Sequence, residues 1–123
     1  MNRLSLIGNL TRDPELRTVK SKGENTTIAN FTVAASSGYG DHRKTVFVRI
    51  SAWRNLGETC MKFLKQGSKV FVAGPVSANA YINKDSDPVA SLELTLEEIE
   101  FLSSKPAETN ETPVIDDDID ELL

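Results

Sequence analysis

The segment Lys44–Arg54, K-T-V-F-V-R-I-S-A-W-R, sets one large aromatic ring two residues before a guanidinium and another four residues after it. Successive side chains of a β-strand point to opposite faces. Val46, Val48, Ile50 and Ala52 therefore share one face, and Phe47, Arg49, Ser51 and Trp53 the other. The first set suits a core. The second is unusual for a solvated face, which is ordinarily polar. Presented to water, the rings offer flat surfaces on which unpaired bases stack, and the cation can hold the adjoining phosphate. A sheet buried on both sides would accommodate the same residues equally well, and this strand alone does not choose between the two.

Other chemistries find little material. The chain has one cysteine, Cys60, and one histidine, His42. An internal disulfide, a cysteine-only metal cluster, a zinc site and histidine-centred catalysis are therefore not expected. No phosphate-cradling loop or nucleophile–base combination is found, and Glu97, Glu98 and Glu100 read as a solvated face. The reading is a protein without catalytic residues, metal or cofactor. The 123 residues suffice for one domain with a single core. The N-terminus lacks the apolar stretch of a signal peptide, and the apolar runs are too short to cross a membrane. The expectation is a soluble protein of a reducing, cytoplasmic compartment.

The formal charge of −4 conceals a segregation. Residues 1–104 hold 13 Lys and Arg against 11 Asp and Glu, a net +2, whereas residues 105–123 hold one Lys against seven acids, a net −6. A mildly basic body thus carries a strongly acidic tail.

The elements that would position the rings follow from pattern. Leu4–Leu10 reads as a strand ended by Gly8-Asn9 and Asp13-Pro14, and Glu15–Val19 as an extended continuation after a bulge. Lys20–Asn25 is a turn, Thr27–Ser36 the next strand, and Ser36–Asp41 a glycine-rich loop tip before Lys44–Trp53. Asn55–Leu64 is the one convincing helix, with Asn55 as cap, Glu58 completing a capping box and Gly67 beyond its end. Its apolar face, Leu56, Cys60, Phe63 and Leu64, should dock on the sheet or plug a barrel end. Lys69–Ala73 is a strand stopped by Gly74-Pro75. Val76–Ile82 forms a hairpin arm turning at Asn83–Pro88, and Val89–Phe101 returns. Five strands with a helix between the third and fourth is the order of an all-β OB-fold, a partly open barrel.

The chain also resembles the bacterial-type single-stranded DNA-binding proteins. The resemblance rests on R-L-S-L-I-G-N-L-T-R-D-P-E-L-R at the start, on A-N-F-T-V-A-A-S and V-R-I-S-A-W-R-N-L, and on F-L-K-Q-G-S-K-V-F-V-A-G-P-V, in that order and followed by an acidic tail. It implies an OB-fold domain over 1–102, a disordered linker over 103–113 and a partner-binding tip over 114–123. It also implies a homotetramer in the cytoplasm, associated with the nucleoid, that wraps unpaired DNA during replication, recombination and repair. The family's stacking positions fall on Tyr39, Phe47, Trp53 and Tyr81, and its recurrent basic positions on Arg3, Arg17, Arg49 and Arg54. Tyr39 and Tyr81 stand where tryptophan is common, and S-A-N-A before Tyr81 replaces residues that are often basic.

The tip, Asp116, Asp117, Asp118, Ile119, Asp120, Glu121, Leu122 and Leu123, departs most from the family, which typically ends in proline and phenylalanine after its acidic run. By resemblance it docks on basic pockets of replication and repair proteins, the aspartates attracting at long range and the end filling an apolar hole. A purely solubilising tail has no reason to end in two leucines. Two other readings of the body stay open, an RNA-binding OB domain and an oligomeric protein-interaction scaffold. Competition between oligo-dT and oligo-U separates the first from DNA binding, and quenching of Trp53 fluorescence by oligo-dT separates the second.

Overall fold

The computed structural model describes residues 1–103, so the tip and all of the linker beyond Ser103 lie outside the described residues. Its strands are β1 (Leu4–Leu10), β2 (Glu15–Ser21), β3 (Glu24–Ser37), β4 (Lys44–Trp53), β5 (Lys69–Gly74), β6 (Val76–Ile82), β7 (Pro88–Thr95) and β8 (Glu98–Phe101), with helix α1 (Arg54–Phe63) between β4 and β5. They form one sheet in the order β6-β7-β4-β3-β1-β5-β8, with β2 beside β3. β5 and β6 are parted by Pro75 alone, and β7 and β8 by two residues. The two ends of the sheet therefore belong to the same pair of long strands, and the sheet closes on itself.

Closure is made by backbone. The Glu97 amide donates to the Ala73 carbonyl and the Thr95 amide to the Pro75 carbonyl. Gly74 sits at this crossing, where a Cβ would stand 1.8 Å from the Thr95 carbonyl oxygen, so no side chain fits. The β4–β7 pairing is parallel and all the others are antiparallel. This is the OB-fold expected from the element order, its five long strands broken into eight segments at bends.

The interior is the alternate set of side chains from every strand. Val33, Val48, Ile50, Val70, Val72 and Leu94 are fully buried, and Cys60 and Leu64 of α1 and its end plug one mouth of the barrel. Gly57 brings α1 close to the sheet, since a Cβ there would meet the Ala52 carbonyl at 2.5 Å.

Four local expectations change. The Lys20–Asn25 turn shrinks to Lys22-Gly23, both at positive φ (54° and 82°), the twist that a two-residue hairpin requires. Helix α1 begins one residue early, with Trp53 at the cap position and no side chain capping it, so Asn55 is inside the helix. Phe63 does not join the buried face. It is 52% exposed and packs on the Phe101 ring, because the core at that end is filled by Cys60 and Leu64. Val46 has the facing expected of a core residue yet is 47% exposed. β1 pairs with β3 only at Asn9 and Leu10 and then parts from it, staying with β5, so the inner side of β3 and β4 near Val46 is left uncovered.

Candidate nucleic-acid interface

The register carries the question of which side chains share the face of Phe47 and Trp53. Residues opposite each other in neighbouring strands point the same way. Trp53 lies opposite Ile28, which lies opposite Arg17 on β2. Ser51 lies opposite Asn30, itself opposite Glu15, and Arg49 opposite Thr32. Across the parallel junction Arg49 aligns with Glu93 and Ser51 with Thr95. Alternation then carries the same face through Ser91 and Val89 on β7 to Asn79 and Tyr81 on β6. One continuous outer wall of the barrel thus holds Arg17, Phe47, Arg49, Trp53 and Tyr81. Phe47 and Trp53 are six residues apart, roughly 20 Å along the strand.

The rings face outward. Phe47 is 60% exposed, Tyr81 55% and Trp53 38%. The doubly buried sheet that the strand pattern allowed is therefore not what forms. Trp53 is the most covered of the three, and its neighbour Ile28 is buried at 3% although it is not part of the barrel core. Tyr39 is 91% exposed beyond the β3–β4 hairpin, where its carbonyl accepts from the His42 amide in a short 3-10 turn. A Ser36–Thr45 hydroxyl pair at 2.8 Å ties the base of that hairpin. The Asn83 side-chain oxygen accepts from the amides of Asp85 and Asp87, fixing the β6–β7 turn one residue beyond Ile82 and so the arm that carries Tyr81.

Polar groups hold the middle of the wall in place. Arg17 Nε donates to Asn30 Oδ1 at 2.8 Å, and Asn30 Nδ2 donates to Ser51 Oγ at 3.1 Å, a row spanning β2, β3 and β4. Arg49 opens on a cleft of about 390 Å³ lined also by Thr11, Arg12, Asp13, Glu15, Asn30 and Thr32. Arg12 and Asn30 are the residues that sequence reasoning missed. The clue for Arg12 was T-R-D-P directly after the first strand, and Asn30 was an outward polar residue directly opposite Ser51.

Arg54 is exposed and takes φ 55°, a left-handed conformation that disfavours a side chain by about 1 kcal/mol or more. It sits where the chain turns from Trp53 into α1, so the strain is spent at the edge of the aromatic wall. Arg3 is placed differently. Its guanidinium donates to Glu97 Oε1 at 2.9 Å and to Glu98, on the β1–β5–β8 side of the barrel. These are the only ion pairs among the described residues, so the structure brings together Arg17, Arg49 and Arg54 with the rings but not Arg3. Cys60 is buried, which pushes its thiol up to about 11 and keeps it protonated. Among the described residues no group of His, Cys, Asp and Glu is placed to hold a metal ion, and no helix is long and apolar enough to cross a membrane.

Comparison with known proteins agrees with this geometry. A structure of the "Plasmodium falciparum SSB complex with ssDNA" superposes with a TM-score of 0.67 over 84% of this chain and 96% of that one, at 24% identity, and so shares the fold. The "Single-stranded DNA-binding protein" of Bifidobacterium longum (strain NCC 2705) is 34% identical over 103 residues, 78% of this chain and 46% of that protein. "Single-stranded DNA-binding protein 1" of Staphylococcus aureus (strain MSSA476) is 35% identical over 114 residues, 90% of this chain and 71% of its own length. The chain thus spans from about half to about seven tenths of these two relatives. The "Single-strand binding protein family" matches residues 1–102. With the barrel, the relatives and the match over the whole described domain in agreement, the chain belongs to the single-strand binding protein family.

Proposed function

We propose that this protein binds single-stranded DNA without sequence preference and without catalysing any reaction on it. The observation that carries the reading is the outer wall of β2, β3, β4, β7 and β6, where exposed rings alternate with cations that have no carboxylate partner among the described residues. A duplex hides both faces of its bases and an unpaired strand exposes them, so stacking on Phe47, Trp53, Tyr81 and the loop ring Tyr39 selects single strands. Each stacked base contributes about 1–3 kcal/mol, tolerant of base identity because every base has a π-face. Arg17, Arg49 and Arg54 supply phosphate contacts, and Arg12 lies beside Arg49 on the same cleft.

Binding of this kind would serve replication, recombination and repair, in the cytoplasm on the nucleoid. The acidic tip, Asp116–Asp118 to Leu123, would recruit other proteins of those processes. The assembly would be a homotetramer. Two features support association of copies. β1 pairs with β3 only at Asn9 and Leu10, leaving one edge of Leu4–Gly8 open to another strand. Beside that edge an apolar hollow of about 310 Å³ is lined by Leu4, Leu6, Val46, Val48 and Leu92.

Trp53 is the single tryptophan, so titration with oligo-dT reads its stacking directly. Fluorescence should be quenched to a plateau, and the binding constant should fall as salt rises. Unchanged fluorescence over a full titration at low salt would remove the reading and favour a protein-interaction scaffold.

A further inference from the structure

The cleft of about 390 Å³ beside Arg49 holds groups that stacking and phosphate contacts leave unused. Its volume is that of a small-ligand site, and its lining is polar apart from Phe31 and includes two guanidinia and two carboxylates. Phe31 is 6% exposed and belongs to the core, so no base stacks here. The floor is β3, where Asn30 and Thr32 share the outward face. Glu15 lies beside Asn30 on β2, and Arg49 beside Thr32 on β4. β2 and β4 stand two strand spacings apart, roughly 10 Å, so a carboxylate and a guanidinium flank a gap that a planar ring can enter. Arg12 joins them from the connection between β1 and β2. Several of the other groups are engaged. Asn30 accepts from Arg17 and donates to Ser51, and Asp13 Oδ1 accepts from the Gln66 amide at 2.8 Å. Arg12, Arg49 and Glu15 are exposed and have no hydrogen-bond or ion partner for their side chains among the described residues. Glu93, aligned with Arg49 on β7, does not line the cleft.

A free carboxylate on a wall that binds a polyanion is the informative group. It accepts hydrogen bonds and donates none, and a DNA phosphate offers it no proton. The donors of an unpaired strand are the N–H groups on its base edges. Of the four bases, guanine alone presents two parallel donors, N1–H and the N2 amino group, which a carboxylate accepts together. Its other edge carries O6 and N7, the pair that arginine contacts in bidentate fashion. Base pairing occupies the first of these edges, so only an unpaired guanine offers both. We propose that the cleft is a base-reading subsite for one guanine, Glu15 accepting from N1–H and N2, and Arg49 or Arg12 donating to O6 and N7. The inference rests on the DNA-binding reading and deepens it. It adds a preference at one position of the bound strand, while the stacked positions stay indifferent to sequence.

The test uses the full chain and a set of dT oligonucleotides of one length, each with a single guanine at a different position. They compete against labelled oligo-dT, read by anisotropy. Guanine at one position should strengthen binding at least about fivefold over thymine. There, inosine, which lacks the N2 amino group, and 7-deazaguanine, which lacks N7, should each lose most of the gain. Glu15→Gln, at an exposed position, should bring guanine to within about twofold of thymine and bind oligo-dT as tightly as wild type or more tightly. Equal affinity for guanine and thymine at every position would overturn the proposal, and so would a gain that survives inosine or Glu15→Gln. If Glu15→Gln strengthens both kinds of strand and leaves their ratio unchanged, Glu15 merely repels phosphate and the subsite is refuted. A single ribouridine that outcompetes guanine would assign the carboxylate to a 2′-hydroxyl and refute it equally. Binding of plain oligo-dT is read in the same titrations. Its absence would remove the DNA reading itself, whereas oligo-dT binding without a guanine gain would remove this inference alone.

Discussion

The barrel has two outer walls built by the same rules, and they differ in what they leave unbalanced. On the β2–β3–β4–β7–β6 side, Phe47, Trp53 and Tyr81 are exposed, and Arg17 and Arg49 lie among them without ion partners among the described residues. On the β1–β5–β8 side the one arginine, Arg3, is matched by Glu97 and Glu98. There the cross-strand row Ile7–Phe71–Glu100 puts aliphatic and aromatic surface next to a carboxylate. The first wall leaves cations unpaired beside flat apolar faces, the attributes that suit an anionic polymer with stackable bases. On the second the one arginine is already paired and carboxylates outnumber it, and beside it lies an open strand edge, the attributes that suit another protein surface. A barrel has no preferred side by topology, so the division of labour lies in side chains alone.

The comparison is most exposed to removal of the rings. Phe47→Ala together with Trp53→Ala deletes two stacking platforms from the first wall while leaving the core untouched. The expected loss is about 3 kcal/mol, roughly a hundredfold in affinity for oligo-dT, with a fold that persists but a lowered thermal midpoint, since Trp53 is only 38% exposed and lies beside buried Ile28. Because this variant has no tryptophan, binding is measured by anisotropy of a labelled oligonucleotide. Affinity within a factor of three of wild type would mean that the first wall is not where bases stack.

Arg54 sharpens the comparison at a smaller scale, because fold and function pull in opposite directions there. A left-handed non-glycine residue costs stability, and it persists at the edge of the first wall, next to Trp53. Arg54→Gly relieves the strain, so thermal stability should hold or rise by up to about 1 kcal/mol. Oligo-dT affinity should fall severalfold, with the slope of log affinity on log salt shallower by about one. A loss of stability with unchanged DNA affinity would make Arg54 a structural residue and detach it from the wall.

How far the sequence could go is visible in these same residues. The alternation of Lys44–Trp53 is a period-2 pattern, and a period fixes which residues share a face. It does not fix whether a second layer covers that face, and so Phe47 and Trp53 stayed undecided until the register of the neighbouring strands was known. Tyr81 joins the wall through two strand pairings, and the parallel one, β4 with β7, leaves no local trace. Val46 looked like core because the pattern cannot say where a partner strand departs. The missing cap on α1 has a similar origin: Arg54 takes an unfavourable φ for tertiary reasons that no propensity encodes. The barrel, by contrast, was legible, since Gly74-Pro75 and Gly67 mark breaks that backbone geometry enforces at fixed places.

Arg3 gives the smallest expected effect and the cleanest contrast. Family resemblance puts it with the phosphate-binding arginines, whereas the structure gives it two carboxylates on the second wall. Its side chain is 37% exposed and those of Glu97 and Glu98 are 55% and 64% exposed, so solvent screens the pair and its contribution is at most about 1 kcal/mol. Arg3→Ala should therefore lower thermal stability slightly and leave both oligo-dT affinity and its salt slope unchanged. A guanidinium already neutralised by two acids cannot release a counterion from a phosphate without first breaking those contacts. If the salt slope nevertheless drops by about one, as for a phosphate contact, the carboxylates yield to DNA and the bound strand continues onto the second wall. The two walls would then be one path around the barrel, interrupted by a switchable ion pair.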